Sequence, residues 1–244
     1  MKDNFIHICF VIDTSGSMGG SEADIVGGFN HLVEEQKKIQ EGECVISMFT
    51  FGTTVKKKFI GKKLDEIKPM CTSMSDACDK FDKEDYENYV YKVGGMTAMN
   101  DGIGTAIDEI GQWLDSMKEE EKPSQNLIVI MTDGEENAST EYTLKEVQEK
   151  IKHQTEKYNW TFVYMGVDIT KKEAAENLGI KTRSYSSKGS DDMFDNYDNL
   201  SCVASVYRCS TAADATLNMT ESLNSVLSET TAKYEVKLGI KIED

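Results

Sequence analysis

The chain has 244 residues, and 39% of them are hydrophobic, which is enough apolar material for a substantial core. Its 43 acidic and 27 basic residues give a formal net charge of −16. A surface with this excess of negative charge repels phosphate groups, so the composition argues against direct binding to nucleic acid or to an anionic membrane. Two prolines and no low-complexity run also argue against a disordered protein.

The amino terminus shows no basic region followed by an apolar stretch and a cleavage site, and no apolar run is long enough to cross a bilayer. We therefore expect no membrane association and a cytoplasmic location, in a bacterium or in a cell infected by a phage. The six cysteines show no C-x-x-C spacing, and the three histidines are scattered. We predict reduced, structural cysteines rather than disulfides or a zinc site.

The first predicted element is a buried strand over residues 5–12, followed directly by Asp-Thr-Ser-Gly-Ser. Asp13, Ser15 and Ser17 place three oxygen side chains in one tight loop, and Gly16 allows the backbone to turn sharply. Proteins usually hold Mg²⁺ by one or two carboxylates together with neutral oxygens and water. Because the same residue types are common in ordinary turns, the loop alone is weak support for a metal site.

The next predicted element is a helix that begins at Ser21. Asp24 follows three residues later, which is the spacing of a capping box. Gly27 and Gly28 lie inside this helix, where together they cost about 2 kcal/mol relative to alanine. We therefore expect them to allow close packing of the helix against the sheet.

The remaining elements continue an alternation of strands and helices. Two apolar runs flank Gly-Thr-Thr at residues 52–54, which predicts a hairpin and one antiparallel strand at the edge of the sheet. Thr143 and Glu146 form a second capping-box pattern. The other predicted elements are a helix over 103–117, strands over 127–131 and 161–167, and a helix over 171–178 closed by Gly179. This order predicts an α/β fold with a doubly wound, mostly parallel sheet and helices on both faces.

In such sheets ligands bind beyond the carboxyl ends of the strands, and both Asp13 and Asp133 follow predicted strands directly. The Asp-Thr-Ser-Gly-Ser loop, Asp133 and Thr97, which precedes a helical pattern, together resemble the metal-ion-dependent adhesion site of the von Willebrand factor type A (vWA) family. Further strings resemble stand-alone bacterial and phage members: Gly-Gly-Phe-Asn at 27–30, Glu-Glu-Gln at 34–36 and Thr-Asp-Gly-Glu-Glu-Asn at 132–137. The resemblance covers roughly residues 5–185.

The resemblance implies a Rossmann-like fold and a divalent-cation site. It implies that Ser15, Ser17 and Thr97 contact the cation through their hydroxyls, and that Asp13 and Asp133 bind it directly or through water. The implied cation is Mg²⁺, with Mn²⁺ or Ca²⁺ as alternatives. Its remaining position suits an Asp or Glu side chain presented by a partner protein.

Three further acidic residues lie near these motifs. Asp101 comes one helical turn after Thr97, and we favour a role in offsetting the helix macrodipole over a role as an additional ligand. Glu135 and Glu136 are interpreted as a solvated acidic loop rather than as the rim of the site. The basic run at residues 56–58 is likewise interpreted as solvated strand positions rather than phosphate contacts.

We expect a vWA domain over residues 1–189, with an insertion over 61–93, and a carboxyl-terminal part over 190–244 packed on the same domain. That last part is predicted to contain one or two helices. Residues 231–244 are predicted to form a strand that pairs within the fold, or alternatively with another chain.

Three tyrosines lie near the end of the insertion: Tyr86, Tyr89 and Tyr91. We predict that they pack locally, with contact to a partner as the alternative, because long loops beside a site often carry specificity.

The function predicted from the sequence is a metal-dependent protein-binding module and not an enzyme. No histidine, cysteine or lysine lies near the three motif segments to act as a nucleophile or base. The glycine-rich phosphate-binding signatures are also absent from the sequence. The alternatives are a structural or assembly component of a phage or bacterial complex and, less favoured, a metal-assisted hydrolase.

Overall fold

The structure is a computed structural model that describes residues 1–74, 81–133, 136–167, 173–186, 191–209 and 222–227. The strands are β1 (Lys2–Asp13), β2 (Glu43–Phe51), β3 (Val55–Lys63), β4 (Cys71–Thr72), β5 (Val90–Tyr91), β6 (Pro123–Thr132), β7 (Thr161–Gly166) and β8 (Thr182–Tyr185). The helices are α1 (Glu22–Lys38), α2 (Lys83–Tyr89), α3 (Met99–Asp115), α4 (Leu144–Tyr158), α5 (Glu173–Asn177) and α6 (Asp191–Cys209). Residues 222–227 are also helical.

Six strands form the central sheet in the order β3-β2-β1-β6-β7-β8. β3 pairs antiparallel with β2, and the other neighbouring pairs are parallel. The predicted fold class is therefore confirmed, including the antiparallel strand at one edge. β8 was not predicted, because its four residues are too few to show a clear alternation. β4 and β5 form a separate two-stranded sheet within the predicted insertion.

The apolar residues of each central strand divide between the two faces of the sheet. In β1, Ile8 and Phe10 pack on the side of α1 and α6, whereas Cys9 and Val11 pack on the side of α3 and α4. This alternation follows from the two-residue repeat of a strand. Because helices cover both faces, the strands are apolar almost throughout, as is typical of buried parallel sheets.

The capping box predicted at the start of α1 is wrong. The hydroxyl of Ser21 donates to the carbonyl of Met18 at 2.5 Å and makes no cap to the helix. The backbone of Ser21, with φ −107° and ψ 3°, does not have the extended conformation of an N-cap. The capping box of Thr143 and Glu146 at α4 is confirmed.

Gly28 permits close packing, but its neighbour is a helix and not the sheet. A Cβ atom at Gly28 would lie 2.1 Å from the ring of Tyr197 in α6, whereas one at Gly27 would meet nothing within 4 Å. Polar contacts join the same two helices, since Gln36 Nε2 donates to the carbonyl of Ser201 at 2.9 Å. The part of the chain after residue 190 thus contributes a helix to the main core.

The predicted insertion begins within the last three residues of β3 and includes β4, α2 and β5. Tyr89 and Tyr91 are buried, as predicted, whereas Tyr86 remains 42% exposed. The predicted strand over 231–244, the segment 75–80 with Cys78, and Glu135 lie outside the described residues.

The described cysteines are all free thiols, three of them buried and two exposed. Across the described part of the chain, no helix combines the length and the apolar character needed to cross a membrane.

Candidate metal centre

The carboxyl ends of β1 and β6 lie side by side at the centre of the sheet. Ile12 of β1 pairs with Met131 of β6, so that Asp13 and Thr132 are neighbours at the strand ends. The chain passes from β1 to β2 on one side and later returns to β6 on the other. The strand order therefore reverses between β1 and β6, which is where open α/β sheets bind ligands.

Asp13 is fully buried and its carboxylate is held on both oxygens. Oδ1 accepts the backbone N–H of Ser15 at 2.7 Å, and Oδ2 accepts the hydroxyl of Thr132 at 2.7 Å. The hydroxyl of Tyr91 donates to the backbone carbonyl of Asp13 at 2.6 Å. A carboxylate can accept about four hydrogen bonds or ligand contacts, so these contacts orient Asp13 without using all of its acceptor capacity.

Two serine hydroxyls connect the loop after β1 to Asp133. The Oγ atoms of Ser15 and Ser17 are 3.0 Å apart, and Ser17 donates to Asp133 Oδ1 at 2.7 Å. Ser15 and Asp133 are buried, whereas Ser17 is exposed. Four of the five predicted residues therefore form one connected cluster that reaches solvent at Ser17.

Thr97, the fifth predicted residue, is buried and is held between the two loops that carry the other four. Its backbone N–H donates to Asn137 Oδ1 at 2.8 Å, and its carbonyl accepts the N–H of Asn137 at 3.0 Å. The preceding Gly95 accepts the N–H of Gly16 at 3.1 Å. These contacts tie the start of α3 to the loop after β1 and to the loop after β6.

The turn before Thr97 requires glycine at position 95. Gly95 has a φ of +84°, and a Cβ atom there would lie 2.4 Å from Thr53 Oγ1. That hydroxyl accepts the N–H of Met96 at 3.0 Å, so the turn is anchored on the β2–β3 hairpin. The sequence thus encodes both the turn and its anchor.

Three residues of the cluster were not assigned a role from the sequence: Thr132, Tyr91 and Asn137. Thr132 and Asn137 lie in the string at 132–137 that carried the family resemblance, so a signal for them was present. Tyr91 had no such signal, because its contact with Asp13 spans 78 positions of the chain.

Asp101 shapes a loop. It lies in the first turn of α3, as expected, and its carboxylate accepts three backbone N–H groups, those of Thr140, Glu141 and Tyr142. Because both oxygens are engaged in this way, Asp101 serves to hold residues 140–142 against α3.

The interpretation of Glu136 as part of a solvated acidic loop is wrong. Its carboxylate accepts the backbone N–H groups of Asn100, Ala138 and Ser139 and the hydroxyl of Ser139. These hydrogen bonds lower the pKa of Glu136, although burial opposes them as the largest single influence. Glu136 and Asp101 together fix the loop that follows Asp133 onto the start of α3.

The pKa of Asp13 is set by burial, by hydrogen bonds and by a second carboxylate. Burial raises the pKa of the Asp13 carboxyl, the hydrogen bonds from Thr132 and Ser15 lower it, and the nearby Asp133 carboxylate raises it again. None of these influences comes from a basic side chain. Two acidic side chains are thus held together in a largely buried place, where an uncompensated charge is costly.

The donor set fits a hard cation. Within the described ranges no three carboxylate, imidazole or thiol groups come together, so a cation here would depend on two carboxylates and on hydroxyl oxygens. Such ligands suit Mg²⁺, Mn²⁺ or Ca²⁺ and not zinc, which prefers thiolate and imidazole. The residues present therefore fit the cation that the family resemblance implies.

A second polar cluster lies deeper in the same sheet and was missed because its members are far apart in sequence. His7 Nε2 lies 2.7 Å from Ser47 Oγ, and His7 Nδ1 lies 3.0 Å from Asn126 Oδ1. Burial lowers the pKa of His7 to about 4, so the ring is neutral at pH 7. All three side chains are buried, and Ser47 also accepts the N–H of Gly61 at 2.9 Å. The hydroxyl of Ser47 is thus enclosed within the fold.

Known structures share this fold at low sequence identity. A D319A mutant of the PilB minor pilin from Streptococcus sanguinis is similar with a TM-score of 0.56 and 11% identity, over 86% of this chain and 64% of that one. Proximal thread matrix protein 1 from the mussel byssus is similar with a TM-score of 0.53 and 17% identity, over 85% of this chain and 48% of that one. A von Willebrand factor type A protein from Catenulispora acidiphila is similar with a TM-score of 0.51 and 13% identity, over 84% of this chain and 43% of that one.

This chain therefore spans between 43% and 64% of the length of these three proteins, and the likeness concerns the fold. No curated protein matches the sequence. The sequence model of the von Willebrand factor type A domain matches residues 7–201, which is most of the chain and includes every predicted site residue. The chain belongs to the von Willebrand factor type A domain family.

Proposed function

We propose that this vWA domain is a metal-dependent protein-binding module. The observation that supports it is the buried Asp13 carboxylate, which is connected to Asp133 through two serine hydroxyls and which, among the described residues, is influenced by hydrogen bonds and by Asp133 but by no basic side chain. A divalent cation would compensate this negative charge. We expect Asp13, Ser15, Ser17, Thr97 and Asp133 to hold it.

In this proposal some residues hold the cation and others orient the residues that hold it. The hydrogen bonds from Thr132 and Ser15 orient the Asp13 carboxylate, and the backbone contacts of Thr97 with Asn137 fix the start of α3 beside it. A bound Mg²⁺ would supply an electrophilic position for one more oxygen ligand. Ser17 is the exposed member of the cluster, so we expect that ligand to approach from its side.

We expect the ligand to be an Asp or Glu side chain of a partner protein, and we propose binding rather than catalysis. Among the described residues, the unpredicted side chains shown to contact the cluster are those of Thr132, Tyr91 and Asn137, and none of these three is a general base at neutral pH. Burial raises the pKa of Tyr91 far above its usual range, so its hydroxyl stays protonated. Membership of the stand-alone bacterial or phage type and a cytoplasmic location stay predictions from the sequence.

Replacing Asp13 tests the site directly. In titration calorimetry with Mn²⁺ and Mg²⁺, we expect Asp13→Ala to weaken binding by roughly 100-fold or more, because even the loss of a residue that only supports a metal ligand costs about 10–100-fold. Asp65→Ala is a matched control, since Asp65 is exposed and lies in the insertion. Unchanged metal affinity in Asp13→Ala, with the protein folded by circular dichroism, would rule out the assignment.

Capture of the partner should require the cation as well as the site. Immobilised wild-type protein is incubated with host lysate in Mg²⁺ or in EDTA, and the retained proteins are compared with those on Asp13→Ala. We expect a protein that is retained only by the wild type in Mg²⁺. Partners that are retained equally in EDTA would contradict metal-dependent capture.

A further inference from the structure

A basic groove of about 420 Å³ lies directly beside the candidate metal centre. Thr14, which lies between Asp13 and Ser15 in the chain, forms part of its wall, and so does Gly94. The carbonyl of Thr14 accepts the N–H of Gly94 at 2.8 Å, so the two stretches of chain that hold the candidate site also close the groove. A molecule bound at one place would therefore be within reach of the other.

Three lysines line this groove, which is unexpected in a chain with a net charge of −16. They are Lys56, Lys58 and Lys92, and Glu87 is the one acidic residue among the lining residues. We call this feature the lysine groove. Lys56 and Lys58 belong to β3 and both line the groove, although the register of β3 against β2 shifts at Lys58. Positive charge is thus concentrated at one place on an acidic protein.

The lysines of the groove lack carboxylate partners within the described part of the chain. The ammonium of Lys58 donates to the backbone carbonyl of Glu87, and no ion pair is formed by Lys56, Lys58 or Lys92. By contrast, Lys57 points to the other face of β3 and pairs with Glu109 at 2.7 Å. Burial and the nearby Lys56 lower the pKa of Lys58, against the opposing charge of Glu87. An anion in the groove would relieve this repulsion.

The shape of the groove fits an extended peptide. Lys56 and Lys58 lie near each other along β3, so an extended peptide that follows the strand could present acidic side chains to both. Tyr86, the exposed tyrosine of the insertion, lines the groove beside Val90 and Val93. Tyrosine is frequent in binding hot spots, so Tyr86 offers a peptide an apolar contact in addition to the charged contacts of the lysines.

A phosphate group is less well served by the same groove. Phosphate sites usually present backbone N–H groups to the ligand, often at a helix start or in a glycine-rich loop. Here the N–H groups of Gly52 and Gly94 are already bonded to the carbonyls of Thr54 and Thr14. Tyr86 and Glu87 belong to the last part of α2, whose carbonyl end carries a partial negative charge.

We propose that the lysine groove binds an extended acidic segment of the same protein partner whose carboxylate would enter the candidate metal centre. This inference rests on the proposed function and adds a second contact to it. Lys56, Lys58 and Lys92 would contact acidic side chains of the segment, and Tyr86 would contact an apolar one. The partner is thereby defined as a protein with several acidic residues close together in an extended stretch.

The test uses fluorescein-labelled octaglutamate as the probe and fluorescence anisotropy as the measurement, in Mg²⁺ and in EDTA. The variant is Lys56→Gln/Lys92→Gln, and both positions are exposed. Its matched control is Lys57→Gln/Lys63→Gln, which makes the same charge change on β3 outside the groove. We expect the groove variant to bind about tenfold more weakly, because each exposed ion pair contributes up to about 1 kcal/mol. The control should change by less than about twofold.

The design separates this inference from the proposed function. Asp13→Ala should lose the increase in affinity that Mg²⁺ gives. If Mg²⁺ has no effect on the wild type but the groove variant weakens binding, the lysine groove stands and the metal site fails. If Mg²⁺ strengthens binding and the groove variant matches its control, the lysine groove is refuted.

Inorganic tripolyphosphate is the competing ligand in the same assay. Competition by tripolyphosphate with an affinity above that of octaglutamate would identify a phosphate site and overturn the proposal. The location is checked by nuclear magnetic resonance, where octaglutamate should shift the amide signals of Thr53 and Lys92. Shifts confined to residues away from the groove would also overturn it, whatever the anisotropy shows.

Discussion

Two buried polar clusters lie on the same sheet, and they differ in charge. His7, Ser47 and Asn126 lie within β1, β2 and β6, while Asp13 and Asp133 lie at the carboxyl ends of β1 and β6. Both clusters are assembled from distant parts of the chain. Both place polar groups where the neighbouring strand residues are apolar.

The cluster around His7 is complete without any ligand. Each ring nitrogen has a neutral hydrogen-bond partner, and the imidazole is uncharged at pH 7 because burial lowers its pKa to about 4. Hydrogen bonding of this kind satisfies buried polar groups at little net cost. The cluster therefore has the properties of a structural element.

At the carboxyl edge the hydrogen bonds are also formed, but there two acidic side chains, those of Asp13 and Asp133, lie close together. The Asp133 carboxylate and burial both raise the pKa of Asp13, and the counteracting influences are hydrogen bonds alone. Buried charges are normally paired with an opposite charge or with a metal ion. The two clusters therefore differ in charge, since one is built around a neutral imidazole and the other brings two acidic side chains together.

Protonation of His7 should have the largest effect on the stability of the fold. The pKa of His7 is lowered from 6.5 to about 4 in the folded state, which corresponds to roughly 3 kcal/mol. In this interval the unfolded chain binds more protons than the folded one, so folding stability falls as the pH drops from about 6.5 towards 4. Urea unfolding at a series of pH values measures this loss.

Carboxyl groups also titrate in the lower part of that interval, so the comparison needs a variant without the imidazole. His7→Leu should be less stable than the wild type at neutral pH but should lose less stability on acidification. Parallel pH profiles for the two proteins would show that His7 is not the group responsible. The cluster would then not be the neutral, self-contained element described above.

Removing the hydroxyl of Ser47 should have the next largest effect. Ser47→Ala leaves His7 Nε2 and the N–H of Gly61 without their partner inside the fold, and an unsatisfied buried group costs about 1–3 kcal/mol. We expect a decrease of about 2 kcal/mol in the free energy of unfolding, measured with urea. Metal affinity should be unchanged, because the two clusters share no hydrogen bond. A parallel loss of metal affinity would show that they are coupled.

The sequence predicted the carboxyl-edge cluster better than the buried one, for a physical reason. Asp13 and Asp133 each end an apolar strand, and the edge at which parallel strands end follows from the β-α alternation. His7 lies inside an apolar strand, and its partners are 40 and 119 positions away. Which distant polar residue meets it depends on strand order and register, which the pattern of one chain does not specify.

Local motifs show the same limit. Ser21 and Thr143 carry nearly the same capping pattern, yet only Thr143 caps its helix. Ser21 lies three residues after the 3₁₀ turn at Gly16–Met18, and its N–H and hydroxyl both donate to the carbonyl of Met18, so its side chain is not used to cap α1. Gly28 permits close packing, but with Tyr197 from a helix much later in the chain and not, as the sequence predicts, with the sheet. Tertiary contacts therefore decide which local signal is used.

The smallest effect is expected at Tyr91, where a substitution tests whether support from the insertion matters to the candidate metal centre. The hydroxyl of Tyr91 donates to the carbonyl of Asp13 at 2.6 Å, and Tyr91→Phe removes this bond while keeping the ring. We expect a loss of about 1 kcal/mol in the free energy of unfolding, the usual net value of one hydrogen bond. Metal affinity should fall by about tenfold, the lower end of what outer contacts of metal sites contribute.

Tyr89→Phe is the matched control, because Tyr89 is equally buried but its hydroxyl bonds to Lys62 and Glu66, away from the candidate centre. It should alter stability and leave the affinity for Mn²⁺ in titration calorimetry unchanged. Equal metal affinities for the two variants would show that the loop after β1 keeps its geometry without Tyr91. The hydrogen bond from Tyr91 to Asp13 would then be dispensable to the site.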